Sequence, residues 1–192
     1  MPLDVMCIQE THLSEAHRLL VRGYQTFRND RENRIQGRVL TLVKNPIQAI
    51  ELQRSTTNSG TEYVTIKIIL EKKEIIIMNV YCPPDKEIET NSFLSTENTI
   101  ILGDFNSHSP SWVYDSIDNR GETIEDWLIE QKFILINKPF DEPTFWSRAH
   151  KKKKAITSDL VFCIRKSRKA LITNSIRPAW WQRPQACTYQ SA

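Results

Sequence analysis

The sequence predicts an α+β domain built in layers, and three observations carry that expectation. Seven or more short runs rich in β-branched and aromatic residues alternate with turn residues. Most of these runs lie close enough in sequence to pair as hairpins, and few segments show helical spacing. The chain has 192 residues, 40% of them hydrophobic, which suffices for one domain with a substantial core.

Residues 3–8 read as a short buried strand that ends at Gln9-Glu10-Thr11. Residues 14–20 suggest a short helix with Ser14 as its N-cap. Residues 38–43 form the next strand candidate, closed by Asn45-Pro46. Residues 62–70 alternate β-branched and polar side chains, as a half-buried strand does. The polar turn at 71–74 and the apolar run at 75–81, stopped by Pro83-Pro84, complete a hairpin candidate. Ile100-Ile101-Leu102 is a buried strand halted at Gly103. Residues 119–131 place Ile124, Trp127 and Leu128 at helical spacing. Residues 133–136, 144–146 and 158–164 are further strands. No internal repeat, low-complexity tract or linker interrupts the chain.

The net charge of +3 and pI of about 8.7 permit a polyanionic partner without requiring one. Cys7, Cys82, Cys163 and Cys187 are scattered with no CxxC, so neither a zinc site nor a disulfide framework is indicated. A reducing interior, cytosol or nucleus, fits that usage. The start of the chain lacks a basic segment followed by an apolar run, which predicts no signal peptide. No apolar stretch reaches membrane-spanning length, which predicts no membrane partner.

The segment TIILGDFNSHSPSW carries the most chemistry. Alternation along a strand puts Asp104 and Asn106 on one side and Phe105 on the other. A carboxylate and a carboxamide at a sheet rim suit the positioning of a water and of a phosphate oxygen; turn-forming residues in a plain loop are the equal alternative. Glu10, just past a strand, is a candidate magnesium ligand, since that ion takes one or two carboxylates, although a solvated strand-end Glu is commoner. Tyr81 offers a hydroxyl at a strand end, against the reading of a core aromatic with a wet tip. Asp159 sits beside Leu160, Val161 and Phe162, where a carboxylate needs a partner. In hydrolases such an Asp often holds a His, yet none of His12, His17, His108 and His150 has a setting that marks it. Lys151, Lys152, Lys153 and Lys154 follow His150 in a loop between strands, suited to gripping phosphates or simply solvated.

Taken in order, CIQET, GRVLTLVK, NVYCPP, ILGDFNSHSPSW, NRGETIEDW, PTFWSR and SDLVF resemble the endonuclease/exonuclease/phosphatase family. Within it they resemble the apurinic-type endonuclease domain of LINE-like, non-LTR retrotransposon reverse transcriptase polyproteins, over residues 3–164. The resemblance implies a four-layer α/β/β/α sandwich with its site at one rim. It implies a hydrolase that cleaves phosphodiesters with Mg2+ or Mn2+ and nicks DNA to leave a 3′ hydroxyl. It implies DNA as partner, a reverse transcriptase domain downstream, and the nucleus as location.

Carried across, Glu10 matches the metal-binding Glu and Tyr81 the Tyr that contacts the scissile phosphate. Asp104 matches the Asp that positions or deprotonates the water, Asn106 its orienting partner, and Asp159 the Asp that braces the catalytic His. His108 fits the retrotransposon variant of the motif and joins the lysines as a nucleic-acid contact.

Two family features do not match: a first strand carrying an Asn, and a terminal Ser-Asp-His motif. The expectation is therefore a partial domain over 1–177, incomplete at its N- and C-terminal strands, with an atypical tail over 178–192. In another frame the codons possible for 188–192 also admit His-Leu-Pro-Ile-Ser, the expected continuation, which predicts a frameshift or a misdrawn gene. The functional expectation is an impaired magnesium-dependent endonuclease. The alternative is an inactive retroelement remnant with residual nucleic-acid binding. A small-molecule or lipid phosphodiesterase of the same superfamily is disfavoured by FNSHSPSW and NRGETIEDW.

Overall fold

A computed structural model of the chain describes residues 3–11, 13, 19–29, 39–137, 145–146, 155–157 and 159–164. Their strands are β1 (Val5–Gln9), β2 (Tyr24–Asn29), β3 (Val39–Lys44), β4 (Gln48–Thr56), β5 (Glu62–Leu70), β6 (Lys73–Tyr81), β7 (Thr99–Asp104), β8 (Phe133–Leu135), β9 (Phe145–Trp146), β10 (Ala155–Ile156) and β11 (Asp159–Ile164). One α-helix, α1 (Asn119–Glu130), lies between β7 and β8. The helix expected at 14–20 falls mostly outside the described residues, as do Lys151–Lys154 and the tail.

A small sheet of order β1-β3-β2 faces a six-stranded sheet of order β4-β5-β6-β7-β11-β8. Most neighbours in both sheets are antiparallel; β6 and β7 run parallel. Strands β5, β6, β7 and β11 are covered on both faces; β6, β7 and β11 accordingly read as nearly continuous apolar runs, whereas β5, expected to be half-buried from its alternation, buries its polar Glu62 and Thr65 as well. Towards the small sheet they send Ile66, Ile68, Ile75, Ile77, Ile100, Leu102 and Val161, packed on Val5 and Val43. Towards the other side they send Met78, Val80, Ile101, Leu160 and Phe162, packed on α1 and the loops beside it. The described residues thus supply two facing sheets and one helical layer outside the larger of them.

Helix α1 starts where Asp118, its N-cap, accepts a hydrogen bond from Gly121 N at 2.6 Å, with Glu122 in the first turn. Its buried face is Gly121, Ile124 and Trp127. The Trp127 ring meets Phe93 edge-on at 5.4 Å and Phe133 at 4.9 Å, which fixes the helix over the sheet.

The two sheets are also joined by a polar contact. Asn79, fully buried on β6, donates through Nδ2 to Leu40 O (3.0 Å), Thr41 Oγ1 (3.2 Å) and Ile8 O (3.3 Å). Its Oδ1 accepts from Gln9 Nε2 at 2.6 Å. Asn79→Leu strands these partners in an apolar interface. The expected loss is about 2–4 kcal/mol, read as a lowered urea midpoint with unchanged slope. A midpoint within error of the parent would show that the contact contributes nothing net.

Three strands are not foreseen from the sequence: β2, β4 and β10. β4 is an edge strand whose burial pattern is largely exposed, with Glu51 and Arg54 paired at 2.7 Å, so no apolar alternation marks it. β2 is half-buried along most of its length and equally lacks a two-residue apolar period.

Candidate active site

Strand register builds one rim. β5 opposes Glu62 to Tyr81, β6 sets Tyr81 beside Asp104, and β11 opposes Asp159 to Asp104. Glu62, Tyr81, Asp104 and Asp159 therefore form a row across four adjacent strands. They share the strand face of Ile77, Leu102 and Val161, which looks towards the small sheet. β1 ends opposite this row, and Glu10 follows it with a φ of 51°. That turn brings the Glu10 carboxylate to the Tyr81 hydroxyl, which donates to Oε1 at 2.8 Å. Burial first, then the hydrogen bond and charge of Glu10, hold the Tyr81 phenol well above its usual range, so it remains a donor.

Asp104 has its carboxyl pushed up to about 7. Burial is the main cause, and the charges of Asp159 and Glu10 add to it. Arg120 and the backbone N–H of Asn106, which donates to Oδ1 at 3.0 Å, act in the opposite sense. A carboxyl so placed is poised near neutrality, where a proton acceptor is most effective.

Asn106 reaches the rim by a different route from the one strand alternation implies. β7 runs through Gly103 to Asp104 and stops. Phe105 then turns into the core, and Asn106 takes a left-handed φ of 46°. Its Nδ2 donates to Cys82 O at 3.1 Å, so the carboxamide ties this turn to the end of β6. The rest of FNSHSPSW is pinned down. Trp112, buried, donates to Ser107 O at 2.9 Å, and the Ser109 and Ser111 hydroxyls both donate to Glu125 Oε1.

His108 is half-exposed. Its ring stacks on Tyr114 at 4.2 Å, and its Nδ1 lies 3.6 Å from Asp118 Oδ2. Burial first, with the charges of Asp104, Asp118 and Asp159, pushes the Tyr114 phenol up to about 12. Asn137 supports Asp159 from the far side, donating to its backbone O at 3.0 Å and accepting from Val161 N at 2.8 Å. His12, His17 and His150 lie outside the described residues.

Sequence reasoning misses Glu62, Tyr114 and Asn137, because no motif marks them. Only the register of β5 against β6 puts Glu62 in the row, and only the loop's return puts Tyr114 over His108.

The donors at this rim are all oxygen, which fits a hard divalent cation such as magnesium or manganese. Among the described residues no three His, Cys, Asp or Glu side chains form a ready cage. Magnesium, which keeps several waters and takes one or two carboxylates, needs none.

The sandwich, with this rim at one end, is of the endonuclease/exonuclease/phosphatase class. The sequence profile of the endonuclease-reverse transcriptase family matches residues 75–186, more than half of the chain. The chain belongs to that family and is a retrotransposon-endonuclease-like domain. An RNA-directed DNA polymerase from the mobile element jockey of Drosophila funebris is 22% identical over 151 residues, or 76% of this chain. The chain spans 16% of that relative's length.

Solved structures share the fold, two of them as follows. The endonuclease domain of TRAS1, a telomere-specific non-LTR retrotransposon, superposes with a TM-score of 0.70 at 23% identity, covering 86% of this chain and 75% of that one. A 3′-5′ exonuclease from Neisseria meningitidis superposes with a TM-score of 0.62 at 12% identity, covering 88% and 79%.

Proposed function

We propose that this chain is the endonuclease domain of a non-LTR retrotransposon and nicks DNA by hydrolysis at the rim. The observation that carries the reading is the row of Tyr81, Asp104 and Asp159 facing Glu10 across the gap between the sheets. Glu10 would hold a magnesium or manganese ion. Bound there, the cation supplies neutralisation of charge building on the phosphate and the leaving oxygen. Tyr81 keeps its proton and donates it as a hydrogen bond, first to Glu10 and then to a phosphate oxygen. Asp104 orients the attacking water and accepts its proton, and Asn106 fixes the turn that aims Asp104. Asp159 adds negative charge beside Asp104, which favours proton uptake there. His108 and Lys151, Lys152, Lys153 and Lys154 contact the DNA backbone. The kinship with a mobile-element polymerase supports a reverse transcriptase domain following in the intact polyprotein. The substrate on this reading is chromosomal DNA, and the place of action the nucleus.

The deciding experiment is conversion of supercoiled plasmid to the nicked form in magnesium and in EDTA. Nicking that requires the cation supports the proposal. A folded, DNA-binding sample that leaves the plasmid intact supports the remnant reading instead. Glu10→Gln is expected to raise the magnesium concentration for half-maximal nicking roughly tenfold or more, as loss of one ligand charge would. An unchanged magnesium curve would remove Glu10 from the metal site.

A further inference from the structure

Arg120 is the second residue of α1. A cation there stands against the positive end of the helix dipole, where acidic residues are preferred. Its side chain leaves the helix and is half-buried; desolvation lowers its pKa. Among the described residues, the guanidinium hydrogen-bonds to main-chain carbonyls of the two segments that leave the rim. Nε donates to Asn106 O at 2.8 Å, and Nη2 donates to Phe105 O at 2.6 Å and Cys82 O at 3.4 Å. Nη1 donates to Lys86 O.

Phe105 and Asn106 form the turn after Asp104, whereas Cys82 and Lys86 belong to the segment after Tyr81. The same two segments touch directly through Cys82 N to Asp104 O at 2.8 Å and Asn106 Nδ2 to Cys82 O at 3.1 Å. A planar group with five donors in a fixed fork can hold four acceptors in one geometry, which an ammonium cannot. The helix itself is secured without Arg120, by Ile124, Trp127 and the Asp118 cap.

We infer that Arg120 is a positioning residue: its guanidinium fixes the turn carrying Asp104 and Asn106 against the segment following Tyr81, and cleavage at the rim depends on it. The dependence of cleavage rests on the proposed nuclease reading; the fixing of the two segments does not.

The test uses the full chain with Arg120→Ala and Arg120→Lys. Hydrogen exchange is read at the amides of Cys82 and Asn106, which donate to Asp104. In Arg120→Ala both are expected to exchange about tenfold faster or more, with the Ile101 and Phe162 amides inside the sheet within about twofold of the parent. Should Arg120→Ala fail to fold, the same local pattern is sought in Arg120→Lys. In plasmid nicking, kcat is expected to fall roughly 100-fold with KM within about threefold, since misplacement rather than lost binding is the defect. Arg120→Lys is expected to recover less than about a tenth of the parent rate, and added methylguanidine to restore Arg120→Ala about tenfold.

Unchanged exchange at Cys82 and Asn106, or faster exchange spread evenly over all strands, overturns the inference. Parental kcat in Arg120→Lys overturns its catalytic half. If the parent protein does not nick, the nuclease reading fails on its own, and exchange still decides whether Arg120 fixes the two segments.

Discussion

Asp104→Asn is expected to abolish nicking and to raise the melting temperature at pH 8. The neutral isostere keeps an oxygen for the Asn106 N–H and loses the capacity to accept a proton from water. Loss of a general base of this kind removes about 10²–10⁴ in rate.

The stability effect follows from the direction of the Asp104 shift. Its carboxyl ordinarily titrates at 3.8 and is raised to about 7 in the fold. Between these values the folded chain binds the proton more tightly than the unfolded chain does, so stability falls as pH rises through that window. Above pH 7 the full penalty of an ionised, crowded carboxylate is present. At about 1.4 kcal/mol per pH unit, the interval from 3.8 to about 7 sets an upper bound of roughly 4 kcal/mol. Water at the partly open rim screens this to about 2 kcal/mol. The Asn variant escapes that penalty, so its advantage is largest at pH 8 in EDTA and vanishes near pH 4. Magnesium is expected to narrow the gap by neutralising the parental rim. Equal melting temperatures at pH 8 would show that the rim carboxylates do not repel one another appreciably.

Gly103→Ala is expected to prevent folding. Gly103 lies in β7 with a φ of +150°, which side-chain-bearing residues rarely adopt. A Cβ there would sit 1.8 Å from Val80 O, 2.8 Å from Val80 C and 3.0 Å from Val80 N. All three atoms are main chain of the parallel neighbour β6, so no side chain can swing aside. Relief requires separating two central strands whose contacts include Ile77, Met78, Ile100 and Ile101. The expected destabilisation exceeds about 4 kcal/mol, a large part of the stability of an ordinary domain. Gly23→Ala is the control. Its φ is +86°, but nothing lies within 4 Å of the added Cβ, so only backbone strain of about 1 kcal/mol is expected. Far-ultraviolet circular dichroism and a melting curve separate the two, and a cooperative Gly103→Ala melt within a few degrees of the parent would refute the clash.

What was legible in the sequence follows from where each segment is buried. β6 and β7 are covered on both faces, so their apolar runs announce themselves; β5 shows itself by alternation, although its polar positions turn out to be buried too. α1 shows its Ile124 and Trp127 face and its Asp118 cap. β4 has water on most of its length and announces nothing. At the rim, Glu10, Tyr81, Asp104 and Asp159 each end or begin a strand, and a strand end is readable. Their assembly into one row is not, because pairing register depends on partners far away in sequence. Arg120 sits within NRGETIEDW, but its hydrogen bonds go to carbonyls, which carry no sequence signal.

The six-stranded sheet places β11 between β7 and β8, although β8 precedes β11 in the chain. On a ribosome, β5 and β6 can close their hairpin early, yet β7 must wait with one edge open until residues 159–164 emerge. β8 waits as well, since β11 is its neighbour in the sheet. Such long-range pairings form slowly, and an open edge in the meantime is an invitation to other chains. The same strand that closes the edge delivers Asp159 to Asp104. Closure of that edge and arrival of the second rim aspartate are therefore one kinetic event: a nascent chain can pair Glu62, Tyr81 and Asp104, but Asp104 meets Asp159 only when the last strand docks.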